Sequence, residues 1–154
     1  MEELKLSGEG LYNLMKSFFT DGLKFKIKLV CPGFSMSPFI RHESLLTLKP
    51  FDVSQQPRFG DVVSVAVHKH KKIIIHRIIS VKPPDYLLKG DNNKVSDGWF
   101  HKKDILGLVE KINFKNKEYT PRHWQNVLIG AASKSGVLNQ IILPAGRHLK
   151  HLIK

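Results

Sequence analysis

The sequence is short of cysteine, of acidic residues and of long apolar runs. A single cysteine, Cys31, excludes an intramolecular disulfide, so nothing in the chain asks for an oxidising compartment. The longest apolar stretches, "VLIGAA" and "IILPAG", fall far short of the roughly 20 residues a membrane-spanning helix needs. The start, "MEELKLSGEG", has neither the basic head nor the apolar run of a secretion signal. Acidic residues number 13 against 25 Lys and Arg, a formal net charge of +12. Such an excess admits three partners: nucleic acid, an anionic membrane surface or an acidic protein. The positive charge is dispersed, however. It alternates through Lys24, Lys26 and Lys28, crowds one turn from His68 to Lys72, and recurs at Arg122, Lys134, Arg147, Lys150 and Lys154. Solvated faces and a hairpin tip account for this pattern. No helix-turn-helix signal precedes the β region, which argues against nucleic acid. His68, His70 and His76 lack convergent Cys or carboxylate partners, so no metal is expected, and no motif calls for a cofactor. Internal repeats and low-complexity segments are also missing.

What is present is a β-rich middle between two helical ends. Leu11, Leu14, Met15, Phe18 and Phe19 share one helical face, and Asp21-Gly22 ends that helix. "KFKIKLV" alternates with period two, as a half-buried strand does. "SLLTLKP", "GDVVSVAV", "IIIHRIISVK", "YLLKGD" and "DILGLVEKINF" read as further strands. The basic stretch 68–72 forms a hairpin tip, and "NNKVSDGW" forms a polar loop. Beyond Pro121 the spacing turns helical through Trp124, Val127, Leu128 and Ala131, then Val137, Leu138, Ile141 and Ile142; Gly130 and Gly136 weaken it and Pro144 stops it. The expected divisions are an N-terminal helix at 1–22, a β-rich catalytic domain at 23–114 and a basic helical appendage at 115–154.

Three polar features interrupt the β region. "CPGFSMSPFI" places Ser35 on a sharp bend after a strand, His76 breaks a run of isoleucines, and Asp91 and Asp97 sit in a loop after the next strand. Each has an ordinary explanation alone: a turn serine, a half-buried histidine, two turn aspartates. Together they contain the parts of an activated nucleophile. A serine hydroxyl needs a base within about 2.6–3.2 Å to take its proton. An imidazole, with an ordinary pKa near 6.5, does this at neutral pH, and a carboxylate fixes its tautomer. Spacing alone does not choose between the two readings.

Four segments in order resemble the signal peptidase family of serine endopeptidases: "GFSMSPFI", "GDVVSVAV", "IIIHRIIS" and "LLKGDNNKVSD". They cover about residues 33–109. Within that family and the related self-cleaving SOS-response repressors, the residue before the arginine of the third segment supplies the base. Typical bacterial members have lysine there; archaeal and endoplasmic-reticulum members have histidine. His76-Arg77, with Lys89-Gly90-Asp91-Asn92-Asn93 and a later Asp97, is similar to the histidine branch. The resemblance implies a mainly β fold, a small barrel-like catalytic domain of the signal-peptidase and SOS-repressor kind with helices at both ends. It implies Ser35 as nucleophile and His76 as general base, with Asp97 the better candidate to orient the ring and Asp91 bracing the loop or sharing that role. Gly33 and Met36 fall where substrate and oxyanion contacts are made. Gly33 departs from branches that carry a serine there, and Met36 with Phe39 is expected to pack beneath the bend. The implied substrate is a protein or peptide held as an added strand.

These features lead to the expectation of a cytoplasmic protease that matures one dedicated substrate. The basic C-terminal helices either pack on the β domain, the favoured reading, or make peripheral contact with an anionic membrane. The competing functions are a repressor-like regulatory domain that binds peptide or DNA, self-cleaving or inactive, and a degenerate scaffold that binds extended peptides without cutting them.

Overall fold

A computed structural model describes residues 8–20, 27–51, 55–138 and 140. Helix α1 (Gly8–Thr20) is followed by strands β1 (Ile27–Val30), β2 (Leu45–Lys49), β3 (Val62–Val67), β4 (Lys72–Lys82), β5 (Asp85–Lys89), β6 (Gly98–His101), β7 (Ile105–Phe114) and β8 (Lys117–Tyr119), and then by helix α2 (His123–Lys134). The strands form one antiparallel sheet in the order β1-β2-β7-β3-β4-β5-β6, with β8 paired to β7. The fold is mainly β with a helix near each end, as expected, but the sheet does not close into a barrel.

β4 organises the sheet. Its β-branched sequence favours the extended chain, and its length lets it pair with β3 on one side and β5 on the other. Side chains alternate across its two faces. Ile75 joins a core with Tyr12, Met15, Met36, Leu46 and Ile112. Ile78 joins a second core with Val63, Val65, Tyr86 and Leu88. Burying an aliphatic side chain of this size contributes about 1.5–3 kcal/mol. The β3–β4 hairpin turns through a short 3-10 segment, His68–His70, and Lys71 with φ 44°, so the basic stretch is a hairpin tip.

α1 docks by Met15, which is fully buried, and by Tyr12, absent from the expected apolar face. Tyr12 enters the core because its hydroxyl meets His68 Nδ1 at 2.6 Å, satisfying its one polar atom. Leu11 and Leu14 are half-buried; the side chains of Phe18 and Phe19 lie outside the described residues, as does the strand start at 24–26.

β6 and β8 were not expected. β8 carries the sheet into the stretch read as a helical appendage, and α2 begins only at His123. α2 lies on the β domain through two buried polar contacts. Lys89 Nζ donates to the Ser133 carbonyl at 2.6 Å, and Arg77 Nη1 donates to Asn126 Oδ1 at 2.9 Å. A cavity of about 410 Å³ remains between α2 and the sheet, bounded by Ile40, Ile112, Tyr119 and Leu128 among others. The expected continuation at 141–154 lies outside the described residues. No helix among the described residues is long and apolar enough to cross a membrane.

Candidate active site

The segment between β1 and β2 forms a loop tied at its base. Cys31 N–H donates to the Ser44 carbonyl at 2.8 Å, and Glu43 N–H donates to the Cys31 carbonyl at 3.0 Å. Inside the loop, Ser37 N–H donates to Phe34 O and Ile40 N–H to Met36 O, so one tight turn carries Ser35 and a second follows it. Met36 and Ile40, 1% exposed each, plug the loop into the first core. Met36 is thus a packing residue beneath the bend. Ser35 is left half-buried at the corner.

A second loop, between β5 and β6, grips the first. Asn92 N–H donates to the Ser35 carbonyl at 2.7 Å, and Asn92 Nδ2 donates to the Phe34 carbonyl at 3.2 Å. Gly90 lets the two backbones approach. A Cβ at this position would sit 2.8 Å from the Ser35 carbonyl oxygen, closer than such atoms come in real structures. The loop then turns through Asn93 N–H to Gly90 O, and Asp97 N–H bonds Leu88 O to begin the β5–β6 pairing.

His76 projects from the middle of β4, opposite Val63 of β3. Its ring joins both loops: Nε2 lies 2.9 Å from Ser35 Oγ, and Nδ1 lies 2.6 Å from Asp97 Oδ2. The His76 side chain is 8% exposed and that of Asp97 22%. A carboxylate at Nδ1 accepts the N–H there, which leaves the Nε2 lone pair facing the serine hydroxyl. Three residues far apart in sequence are therefore in one bonded line.

Asp91 does something different. Its carboxylate receives both Arg77 Nε, at 2.8 Å, and Arg77 Nη2, at 2.7 Å. Both side chains are buried, 1% and 0% exposed. Arg77 Nη1 also reaches the Gly60 carbonyl at 2.9 Å and Asn126 Oδ1. A buried guanidinium is tolerable only when its donors are met this way. Asp91 is bonded to the residue next to His76, so it anchors the second loop to β4. The neighbouring Lys89 ammonium is buried, and that desolvation holds its pKa below the ordinary lysine value, against the pull of Asp91.

Gly33 adopts φ +92°, and its N–H donates to His42 Nδ1 at 2.9 Å. Ser35 N–H has no hydrogen-bond partner among the described residues. Arg77, Asn92, Asn126 and His42 had no assigned part in the sequence reading. Arg77 carried a signal: a charge inside a buried β-branched run requires a partner. Asn92 lay within a segment that carried the resemblance but had no role attached to it; His42, in a loop, and Asn126, on a distant helix, gave no signal. No group of His, Cys, Asp and Glu among the described residues is placed to hold a metal ion.

Serine bonded to imidazole bonded to carboxylate is the order of groups that serine proteases use. Sequence comparison agrees with this class. The chain is similar to the signal peptidase complex catalytic subunit SEC11C of Canis lupus familiaris, Homo sapiens and Mus musculus, 35% identical over 100 residues in each case. The match covers 56% of this chain and 50% of each relative, so the chain spans about half the length of the curated relatives it matches. No protein-family model matches it. The similarity supports a signal-peptidase-like relationship.

Proposed function

We propose that this chain is a serine endopeptidase of the signal-peptidase-like type, working through Ser35, His76 and Asp97. The observation that carries the reading is the 2.9 Å separation of Ser35 Oγ from His76 Nε2, within reach for proton transfer. In the reading, His76 takes the serine proton as Oγ attacks the scissile carbonyl. Asp97 holds the ring by its Nδ1–H and stabilises the imidazolium that forms. Ser35 N–H is available to the developing oxyanion. His76 then gives its proton to the leaving amine, and a water deprotonated by the same ring frees the acyl group from Ser35. Gly33 contributes backbone shape rather than a donor, since its N–H is already engaged.

The substrate is an extended protein or peptide segment, held by main-chain hydrogen bonds. The net charge of +12 supports peripheral contact with an anionic surface. The test is to incubate the protein with candidate extended substrates and search by mass spectrometry for a new N-terminus. Cleavage that disappears in both Ser35→Ala and His76→Ala is the expected result, with turnover down by at least about 10³-fold. Cleavage that survives Ser35→Ala overturns the reading.

A further inference from the structure

We infer that His42 is a positioning residue for the nucleophile loop, and that it holds the loop only while its ring is neutral. The inference rests on the peptidase reading above. His42 sits where the loop rejoins β2. Its Nδ1 accepts the Gly33 N–H at 2.9 Å, and its ring stacks on Phe34, with centroids 4.9 Å apart and planes at 29°. It thus touches the two residues that lead into Ser35 from the β1 side. The Asn92 amide holds the Phe34 carbonyl, and Asn92 N–H holds that of Ser35. Between them, His42 and Asn92 hold the Pro32–Gly33, Phe34–Ser35 and Ser35–Met36 peptide groups, the first ahead of Phe34 and the other two after it. Phe34 itself is 63% exposed and gets no restraint from the core.

The contact depends on protonation state. An imidazole nitrogen accepts only while it carries a lone pair. In the neutral ring with its proton on Nε2, Nδ1 receives the Gly33 N–H. Once protonated, both nitrogens are donors, and two N–H groups point at each other. The bond to Gly33 is then lost, and the loop keeps only the Asn92 side of its clamp. The charged group facing the ring is the Glu43 carboxylate, 3.9 Å from Nε2, on a side chain that is 78% exposed. The loop packed against the ring, residues 31–40, carries no charged residue, and its one titratable group is the buried Cys31 thiol. Protonation of His42 therefore removes one of the two ties on the approach to Ser35, while the bonds from Asn92 remain.

The experiment compares His42→Ala with His42→Asn. The Asn Oδ1 can take the place of Nδ1 as an acceptor but does not titrate. His42→Ala is expected to lower kcat by about tenfold with KM within about twofold, since a misplaced nucleophile harms the chemical step. His42→Asn is expected to recover most of that loss. Its acid limb of kcat against pH should fall with the slope of one proton, where the unmodified chain falls more steeply. Asparagine no better than alanine, or superimposable acid limbs, overturns the inference. A wild-type protein that cleaves nothing defeats the peptidase reading alone, because the contact has a second readout. The Gly33 amide resonance should follow the titration of the His42 ring and stop doing so in His42→Asn. A Gly33 amide that stays flat while the His42 ring titrates sinks the inference whatever the activity.

Discussion

At the scale of single residues, the site divides its two aspartates by environment. Asp97 is partly open and meets one imidazole; Asp91 is sealed and meets a guanidinium in bidentate fashion. Replacing each by asparagine therefore has different consequences. Asp97→Asn leaves the fold intact and removes the acceptor that selects the productive tautomer of His76. The expected loss in kcat is about 10²–10⁴, with an unfolding midpoint close to that of the unmodified chain. Steady-state kinetics and a thermal melt on the same sample check both halves. A variant that keeps more than a tenth of its activity would show that the ring does not need Asp97. The resemblance favoured Asp97 to orient the ring but left a shared role for Asp91 open, because "GDNNKVSD" by itself looks the same whichever carboxylate turns inward. The Arg77 guanidinium that takes up Asp91, and the pairing of Asp97 N–H with Leu88 O, decide which carboxylate reaches the ring.

At the scale of elements, the working unit is two loops pressed together over one strand. The strand was legible because a β-branched run with a single histidine has few other readings. β6 and β8 were not legible. They are four and three residues long and depend on a partner rather than on their own pattern. Tertiary pairing created them, and no local period announces a strand that short. Likewise "CPGFSMSPFI" revealed a bend but not what holds it, since the grip comes from Asn92, far along the chain. The closeness of that grip leads to a prediction at Gly90. A methyl group added there must displace both the Ser35 carbonyl and the Asn93 side chain, each of which would lie 2.8 Å from it. Gly90→Ala is expected to lower kcat by about tenfold or more through misplacement of Oγ, with a smaller effect on KM. Unchanged kcat in this variant would mean that the loop yields without moving the nucleophile.

Across the whole molecule, α2 is joined to the sheet at two buried points, Asn126 to Arg77 and the Ser133 carbonyl to Lys89. The apolar periodicity of 123–134 made this helix predictable; its polar attachments were not, because Asn126 reads as an ordinary surface asparagine until Arg77 is found opposite. The Lys89 attachment makes stability depend on pH. Burial lowers the folded-state pKa of Lys89 beneath its ordinary 10.5. Between the lowered value and 10.5 the unfolded chain binds more protons, so the Lys89 contribution to stability rises with pH across that window. Below it the cost of burying the charge is present in full. Lys89→Met should remove this rise, which denaturant unfolding at several alkaline pH values would measure. An identical alkaline dependence in the variant would place the charge cost elsewhere.

The lone thiol has a use beyond packing. Cys31 is 5% exposed and stands at the neck of the loop that bears Ser35, and burial raises its pKa. While the neck stays shut, an alkylating reagent finds neither access nor thiolate. With no other sulfhydryl in the chain to compete, the rate at which label accumulates on Cys31 becomes a clock for how often the neck springs open.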